Sequence, residues 1–272
     1  MLKDYLEINR KNWDSRVPIH LGGYNLERFS KDPSYLSDVV RFDLERLPEV
    51  TGLKGIHLQS HIGTDTISLS RLGARMSALD FSAPALKVVE ELAERDGVKI
   101  PTYETDVYSA PNELDGQFDF VYTGIGAICW LPDIRKWASV VARLLKPGGF
   151  LFMREGHPVL WSVGDSRSDG AIAIELDYFE GQEFIDDEEG TYAGEGTVEH
   201  PTNVSYNHGM AEIFNALLGE GLALELLEEP NTVPWNPLDQ EFVKLDGIDE
   251  WQLANRPNRI PLSYTIRFRK PL

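Results

Sequence analysis

The sequence predicts an α/β protein, a mixed sheet with helices on both faces. Three observations predict it. Short apolar runs alternate with segments of helical spacing from Gly55 to Gly149; two of those runs end in an aspartate, Asp80 and Asp106; and Lys146-Pro147-Gly148-Gly149 interrupts the last helical segment before another apolar run. That order, with an acid roughly 20 residues beyond the first strand-to-helix loop, is the spacing of a nucleotide-binding sheet.

Residues 1–50 read as helices in front of the sheet. Tyr5 to Trp13 is one candidate. Pro33 to Leu47 is another, with Leu36, Val39, Val40 and Leu44 on one stripe and Asp32-Pro33 suited to a helix start. Gly55 to Gly63 is a short strand running into a polar loop, with Gly63 where the backbone must approach a ligand closely. Thr66 to Leu72 has helical spacing and Gly73 suits its end. Arg75 to Asp80 is the second strand, Thr102 to Val107 the third and Phe118 to Gly124 the fourth. Ile134 to Leu145 is a helix broken by Lys146-Pro147-Gly148-Gly149, and Phe150 to Met153 is the fifth strand.

From Gly156 to about Asn207 the pattern turns aromatic and acidic, which predicts a strand-rich insertion or lid whose run Asp186 to Glu189 suits a solvated hairpin tip. Met210 to Leu218 is an amphipathic helix. Leu222 to Leu227 and Leu262 to Phe268 close the sheet, the second alternating like a strand with one exposed side. No internal repeat or low-complexity linker divides the chain. The expected organisation is one domain over 1–272: a cap (1–50), a ligand-binding core (51–155), the insertion (156–207) and the end of the sheet (208–272).

The run from Gly55 to Glu155, with Leu144-Leu145-Lys146-Pro147-Gly148-Gly149 and Asp80-Phe81-Ser82 as its most specific pieces, resembles the core of class I S-adenosylmethionine-dependent methyltransferases. The whole chain is similar to bacterial small-molecule members, which share its Asn12-Trp13 start and Tyr122-Thr123-Gly124-Ile125-Gly126 loop. The resemblance implies a Rossmann-like methyltransferase fold of seven strands, the last inserted antiparallel between its neighbours, and S-adenosylmethionine as the donor. It implies that Asp80 holds the ribose, Phe81 packs on the adenine and Asp106 bonds the adenine amine. Ser82, Val107, Thr123, Gly124 and Ile125 complete the donor contacts just past their strands. The family pattern in the first loop is an acid followed by three alternating glycines. Here His57, Gln59 and His61 stand at the acidic and first two glycine positions, and only Gly63 remains, so Gln59 or His61 is expected to reach the donor's amino-acid end with a side chain.

Methyl transfer needs an in-line approach to an already activated carbon, so positioning and water exclusion supply much of the acceleration. A base is needed only for a protonated acceptor. His157, after the fifth strand, is the candidate base or acceptor contact, because neutral imidazole takes a proton near pH 7. Trp13 and His20 from the cap, and Tyr206 and His208 from the end of the insertion, are candidate acceptor contacts. Trp130, Trp161, Tyr178, Phe179, Tyr192 and Trp235 are candidates to line a pocket for a flat or cationic small molecule.

With 44 acidic against 26 basic residues the net charge is -18, which disfavours nucleic acid as acceptor. The single cysteine, Cys129, cannot form an intrachain disulfide, no apolar run reaches bilayer length, and the six histidines show no metal-site spacing, so no metal is expected. The start of the chain has no apolar signal core, so a cytoplasmic enzyme is the expectation. Two rival readings are a non-catalytic adenosyl-ligand-binding or regulatory protein, motivated by the altered first loop, and an NAD-dependent oxidoreductase, which that loop fits poorly.

Overall fold

A computed structural model describes residues 4–238 and 241–272. The helices in chain order are α1 (Tyr5–His20), α2 (Leu26–Lys31), α3 (Asp38–Asp43), α4 (Thr64–Arg71), α5 (Ala83–Asp96), α6 (Ile134–Leu144), α7 (Pro158–Trp161) and α8 (Met210–Gly219). The strands are β1 (Lys54–Leu58), β2 (Arg75–Asp80), β3 (Thr102–Glu104), β4 (Phe118–Thr123), β5 (Leu145–Gly156), β6 (Glu183–Asp187), β7 (Thr202–Tyr206), β8 (Ala223–Glu228), β9 (Phe242–Lys244), β10 (Trp251–Leu253) and β11 (Ser263–Arg269).

Seven strands form one mixed sheet in the order β3-β2-β1-β4-β5-β11-β8, with β11 antiparallel to both β5 and β8. The strand order reverses between β1 and β4, and a sheet of this kind binds ligands at the carboxyl ends beside that reversal. One face is packed by Trp137, Val141 and Leu144 of α6 and by Ile213 and Leu217 of α8, over Ile56, Val121, Leu151 and Ile266. The other face is packed by Ile67 of α4, Val89 of α5 and Val40 of α3, over Met76, Phe120 and Phe152. Phe120 stacks on Phe150 at 5.5 Å and Tyr122 on Phe152 at 5.9 Å, which locks β4 against β5. A Cβ on Gly55 would fall 2.2 Å from the Phe120 ring, so the aromatic pair needs glycine there.

Local chemistry sets the helix starts that point at the site. Ser82 caps α5 by accepting the Ala85 amide, and Asp133 caps α6 by accepting that of Lys136. Gly63 precedes α4 at φ 78°.

The structure corrects several expectations. The helix expected over Pro33 to Leu47 is only Asp38–Asp43: Asp32 holds Ser34 in a turn through its amide, and Ser37 starts α3 by accepting the Val40 amide. The helix expected to end at Trp13 runs on to His20. The third strand stops at Glu104, because Asp106 accepts the amides of Tyr108 and Ser109 and folds the chain into a 3-10 turn. Lys146-Pro147-Gly148-Gly149 enters β5 as an irregularity, with the register against β4 jumping from Phe118–Leu145 to Phe120–Phe150. The insertion contributes one hairpin, β6 with β7, and Asp186 and Asp187 lie within β6 rather than at a tip. In β11 the supposedly exposed side is covered at Ser263 and Thr265, both fully buried, since the strand lies inside the sheet.

Candidate donor site at the carboxyl edge of the sheet

The loop after β1 keeps a glycine-like backbone without glycines. Gln59 and His61 sit at φ 56° and 48°, left-handed conformations that cost an L-residue roughly 1 to 2 kcal/mol each. Such strain persists where the surroundings fix it, and it concentrates at functional sites. Here the surroundings are visible. The His61 amide donates to Asp80 Oδ2 at 2.8 Å, and the Ser82 amide donates to Asp80 Oδ1 at 2.8 Å. Asp80 therefore joins the first loop to the start of α5, and burial pushes its carboxyl up to about 6 despite those amides.

Gln59 donates through Nε2 to the Ala127 carbonyl at 2.9 Å, while its Oε1 is buried with no hydrogen-bond partner. It lines a narrow crevice together with Phe81, Asp106, Val107, Trp130 and Leu131, roofed by Tyr5, Leu6 and Asn9 of α1. The crevice has a free volume of about 20 Å³, room for roughly one water. A larger groove, about 470 Å³, lies between Tyr108–Asn112 and α6 and contains none of the expected site residues.

The loop after β4 is held from below by a residue that sequence reasoning left out of the site. Glu155, 1% exposed, accepts the amides of Gly126 and Gly156 through Oε1 and those of Ala127 and Ile128 through Oε2, at 2.6 to 2.9 Å. Burial raises its carboxyl, and the four amides oppose that. The Gly126 to Ile128 backbone is thereby fixed, with the Ala127 carbonyl on Gln59. Thr123 is fully buried and its Oγ1 has no partner. Ile125 is half-buried on the same loop.

The cap meets the first loop through aromatic and imidazole rings. His20 Nδ1 and His61 Nε2 are 2.7 Å apart, one donating to the other, and His20 Nε2 meets Thr191 Oγ1 at 2.7 Å. Trp13 packs edge-on against His61 at 5.0 Å and Trp130 at 5.4 Å, and the Tyr24 and Tyr192 hydroxyls meet at 2.8 Å. Burial and the nearby Arg16 cation lower both imidazoles, His20 to about 4, so the pair is neutral at pH 7. Arg16 is itself buried, bonded to Asn12, paired with Glu188 and stacked near Trp13, a fixed cation beside the loop that sequence reasoning did not single out.

His157 lies away from the crevice, whereas His208 and Tyr206 border it through Leu131 and Tyr5. His157 accepts the Val159 amide at Nδ1 and meets Glu229 Oε1 through Nε2 at 3.0 Å, so both nitrogens are engaged in capping α7 and holding the end of β8. His208 faces Glu212 through Nδ1 and the Leu131 carbonyl through Nε2, and Tyr206 stacks on it at 6.5 Å. Trp161 and Trp235 stack on each other in a separate cluster, and Phe179 is exposed. Of the six aromatic residues expected around an acceptor, only Trp130 and Tyr192 reach the cap.

Residues 56–151 match a family model described as a methyltransferase domain. A ubiquinone biosynthesis O-methyltransferase of Erwinia tasmaniensis is 34% identical over 85 residues, 31% of this chain and 35% of that protein. The chain thus spans about a third of that curated relative. Among solved structures, a Listeria monocytogenes protein assigned as an S-adenosylmethionine-dependent methyltransferase superposes with a TM-score of 0.64 at 15% identity, over 86% of this chain and 97% of that one. An S-adenosylmethionine-dependent methyltransferase from Mesorhizobium loti gives 0.60 at 21% identity, over 86% and 98%. The sheet is the Rossmann-like methyltransferase fold, and the resemblance holds across the segment that builds the crevice.

Proposed function

We propose that this chain is an S-adenosylmethionine-dependent methyltransferase acting on a small-molecule acceptor. One observation carries the reading: Gln59 and His61 are held left-handed, with the His61 amide on Asp80, so the loop keeps a ligand-binding backbone although two glycines are gone. A loop released from function would relax that strain or restore glycine.

The residues present fit the donor. Asp80 is a buried carboxylate for ribose hydroxyls, and Phe81 and Val107 are apolar walls for a purine. Asp106 Oδ1 is used by its own turn, leaving the other oxygen for an amine. Gln59 Oε1 is an unpartnered acceptor in the crevice, and Arg16, already paired with Glu188 through one nitrogen, keeps a second terminal nitrogen for the donor's carboxylate. Gly63, Ser82, Thr123, Gly124 and Ile125 are the backbone and hydroxyl contacts around them. The donor supplies a methyl on positive sulfur, which needs no metal to activate it. What the chain supplies is orientation, through a loop pinned by Glu155, and water exclusion, through α1 lying across the crevice. Since the crevice now has room for about one water, α1 must shift for a nucleoside to enter.

The acceptor enters, in this reading, between α1 and the segment 156–207, where Trp13, His20, Trp130 and Tyr192 meet. Tyr206 and His208 would shape that entrance from beneath. The net charge of -18 supports a small molecule rather than nucleic acid, and the similarity to the Erwinia ubiquinone biosynthesis O-methyltransferase supports the same class. Among the described residues no helix is long and apolar enough to cross a membrane, and we place the activity in the cytoplasm. Calorimetric titration with S-adenosylmethionine, S-adenosylhomocysteine and NAD tests the reading. Micromolar binding of the first two and none of NAD is expected; no binding of either adenosyl ligand sinks it in favour of a protein that has lost donor binding.

A further inference from the structure

The family pattern places an acid at the end of the first strand, and this chain has His57 there. A second carboxylate reaches the same place from the next element. A Cβ built on Gly124 would stand 3.2 Å from Asp65 Oδ2 and 3.4 Å from His57 Nε2, so the two side chains converge where β4 ends. This is the point of strand-order reversal between β1 and β4. Asp80, Phe81 and Asp106, the nucleoside side of the site, all follow β2 and β3. A donor extending from them across the first loop brings its amino-acid end toward Gly124.

The surroundings of Asp65 call for a cation. Among the described residues it forms no ion pair, and the groups that feel its charge are phenols and a carboxyl: Tyr24, Tyr192, Tyr122 and Asp43. Asp43, fully buried, accepts the Tyr122 hydroxyl on one oxygen while its Oδ1 has no hydrogen-bond partner. Ser37 bonds Asp65 and Asp38 repels it; burial without a counter-ion pushes its carboxyl up to about 6. His57, also buried, is bonded to Thr66 and lowered to about 3, so it is neutral and supplies no charge of its own. Arg154 and Arg46 act on Asp43 and Arg16 acts on the Tyr24 and Tyr192 phenols, but among the described residues none pairs with Asp65, so a positive ligand group beside it would supply the missing counter-charge.

We infer that Asp65 supplies the counter-charge for the donor's α-ammonium group, in place of the acid that the first strand lacks. The inference rests on the donor reading above and goes beyond it in assigning this role to α4. The carboxylate has moved from the strand to the first turn of the helix, where it approaches the same backbone.

The test compares S-adenosylhomocysteine with its desamino analogue, in which hydrogen replaces the ammonium, by calorimetry on the wild type and on Asp65→Asn. The wild type is expected to bind the ammonium ligand about tenfold or more tightly than the analogue, from a charge-assisted hydrogen bond. Asp65→Asn should lose that discrimination, with affinity for the analogue changed less than about twofold. Equal affinities in the wild type overturn the inference even if the variant does not fold, and so does discrimination that survives in Asp65→Asn. If neither ligand binds the wild type, the donor reading fails and takes the inference with it.

Discussion

The backbone amide of His61 donates to Asp80 Oδ2 at 2.8 Å, so the strained turn of the first loop and the acid at the end of β2 are one unit. Replacing Asp80 therefore acts twice. Asp80→Asn puts an NH2 where one of two amides needs an acceptor, and it removes the charge offered to the ribose. A stability loss of about 1 to 3 kcal/mol in denaturant and a fall of roughly tenfold or more in donor affinity are expected. A folded Asp80→Asn protein with wild-type affinity would remove Asp80 from the donor site.

Strain at Gln59 is measurable by comparing two truncations. Gln59→Ala and Gln59→Gly both lose the bond to the Ala127 carbonyl, but only glycine adopts φ 56° without cost. The glycine variant should exceed the alanine variant in stability by about 1 kcal/mol. Coincident denaturation midpoints would mean that the loop relaxes once the side chain is gone, and the argument from retained strain would fall.

His157 illustrates how place in the topology and availability differ. Its Nδ1 accepts the Val159 amide, which puts the ring proton on Nε2 facing Glu229; burial lowers its proton affinity and Glu229 opposes that. Asparagine preserves a cap at that position. His157→Asn should therefore keep the pH profile of single-turnover methyl transfer and lose no more than about 1 kcal/mol of stability. Loss of the acidic limb of that profile would restore His157 as the base.

The strands around the site were legible because buried parallel strands read as short apolar runs, and β2 and β4 fall where those runs do. The cap was not legible for the opposite reason. Helix α1 buries Asn9, Asn12, Arg16 and His20 along one stripe, and Asn9 exchanges two 2.8 Å hydrogen bonds with the backbone of Val204 on β7. A polar stripe that docks by amide pairing gives no hydrophobic period, so the sequence pattern marks the helix only as far as Trp13. Glu155 and Asp65 escaped notice because their roles come from amides and a glycine far along the chain. Strands β9 and β10, three residues each, are too short for periodicity to show. Gln59 and His61 were visible as departures from a pattern, but their backbone conformation was not.

The buried carboxyl of Asp43 sets a pH dependence whose sign follows from linkage. It accepts the Tyr122 hydroxyl at 3.0 Å, yet burial raises it from 3.8 to about 7, although Arg154 favours its charge. Between those pH values the folded protein holds a proton that the unfolded chain has released, so this group's contribution to stability falls as pH rises from about 4 to about 7. Asp65 and Asp80 act in the same direction up to about 6. His20, His57 and His61 oppose them, since each stays neutral in the fold while the unfolded chain takes up protons below about 6.5. The wild-type curve mixes both signs, and only a difference isolates one group. Asp43→Asn removes the titration while keeping an acceptor for Tyr122. Its stability relative to wild type should climb between pH 4 and 7, with a slope of at most about 1.4 kcal/mol per pH unit. Denaturant unfolding of both proteins across that range decides the matter: a flat difference would show that Asp43 titrates in the fold as it does in the unfolded chain.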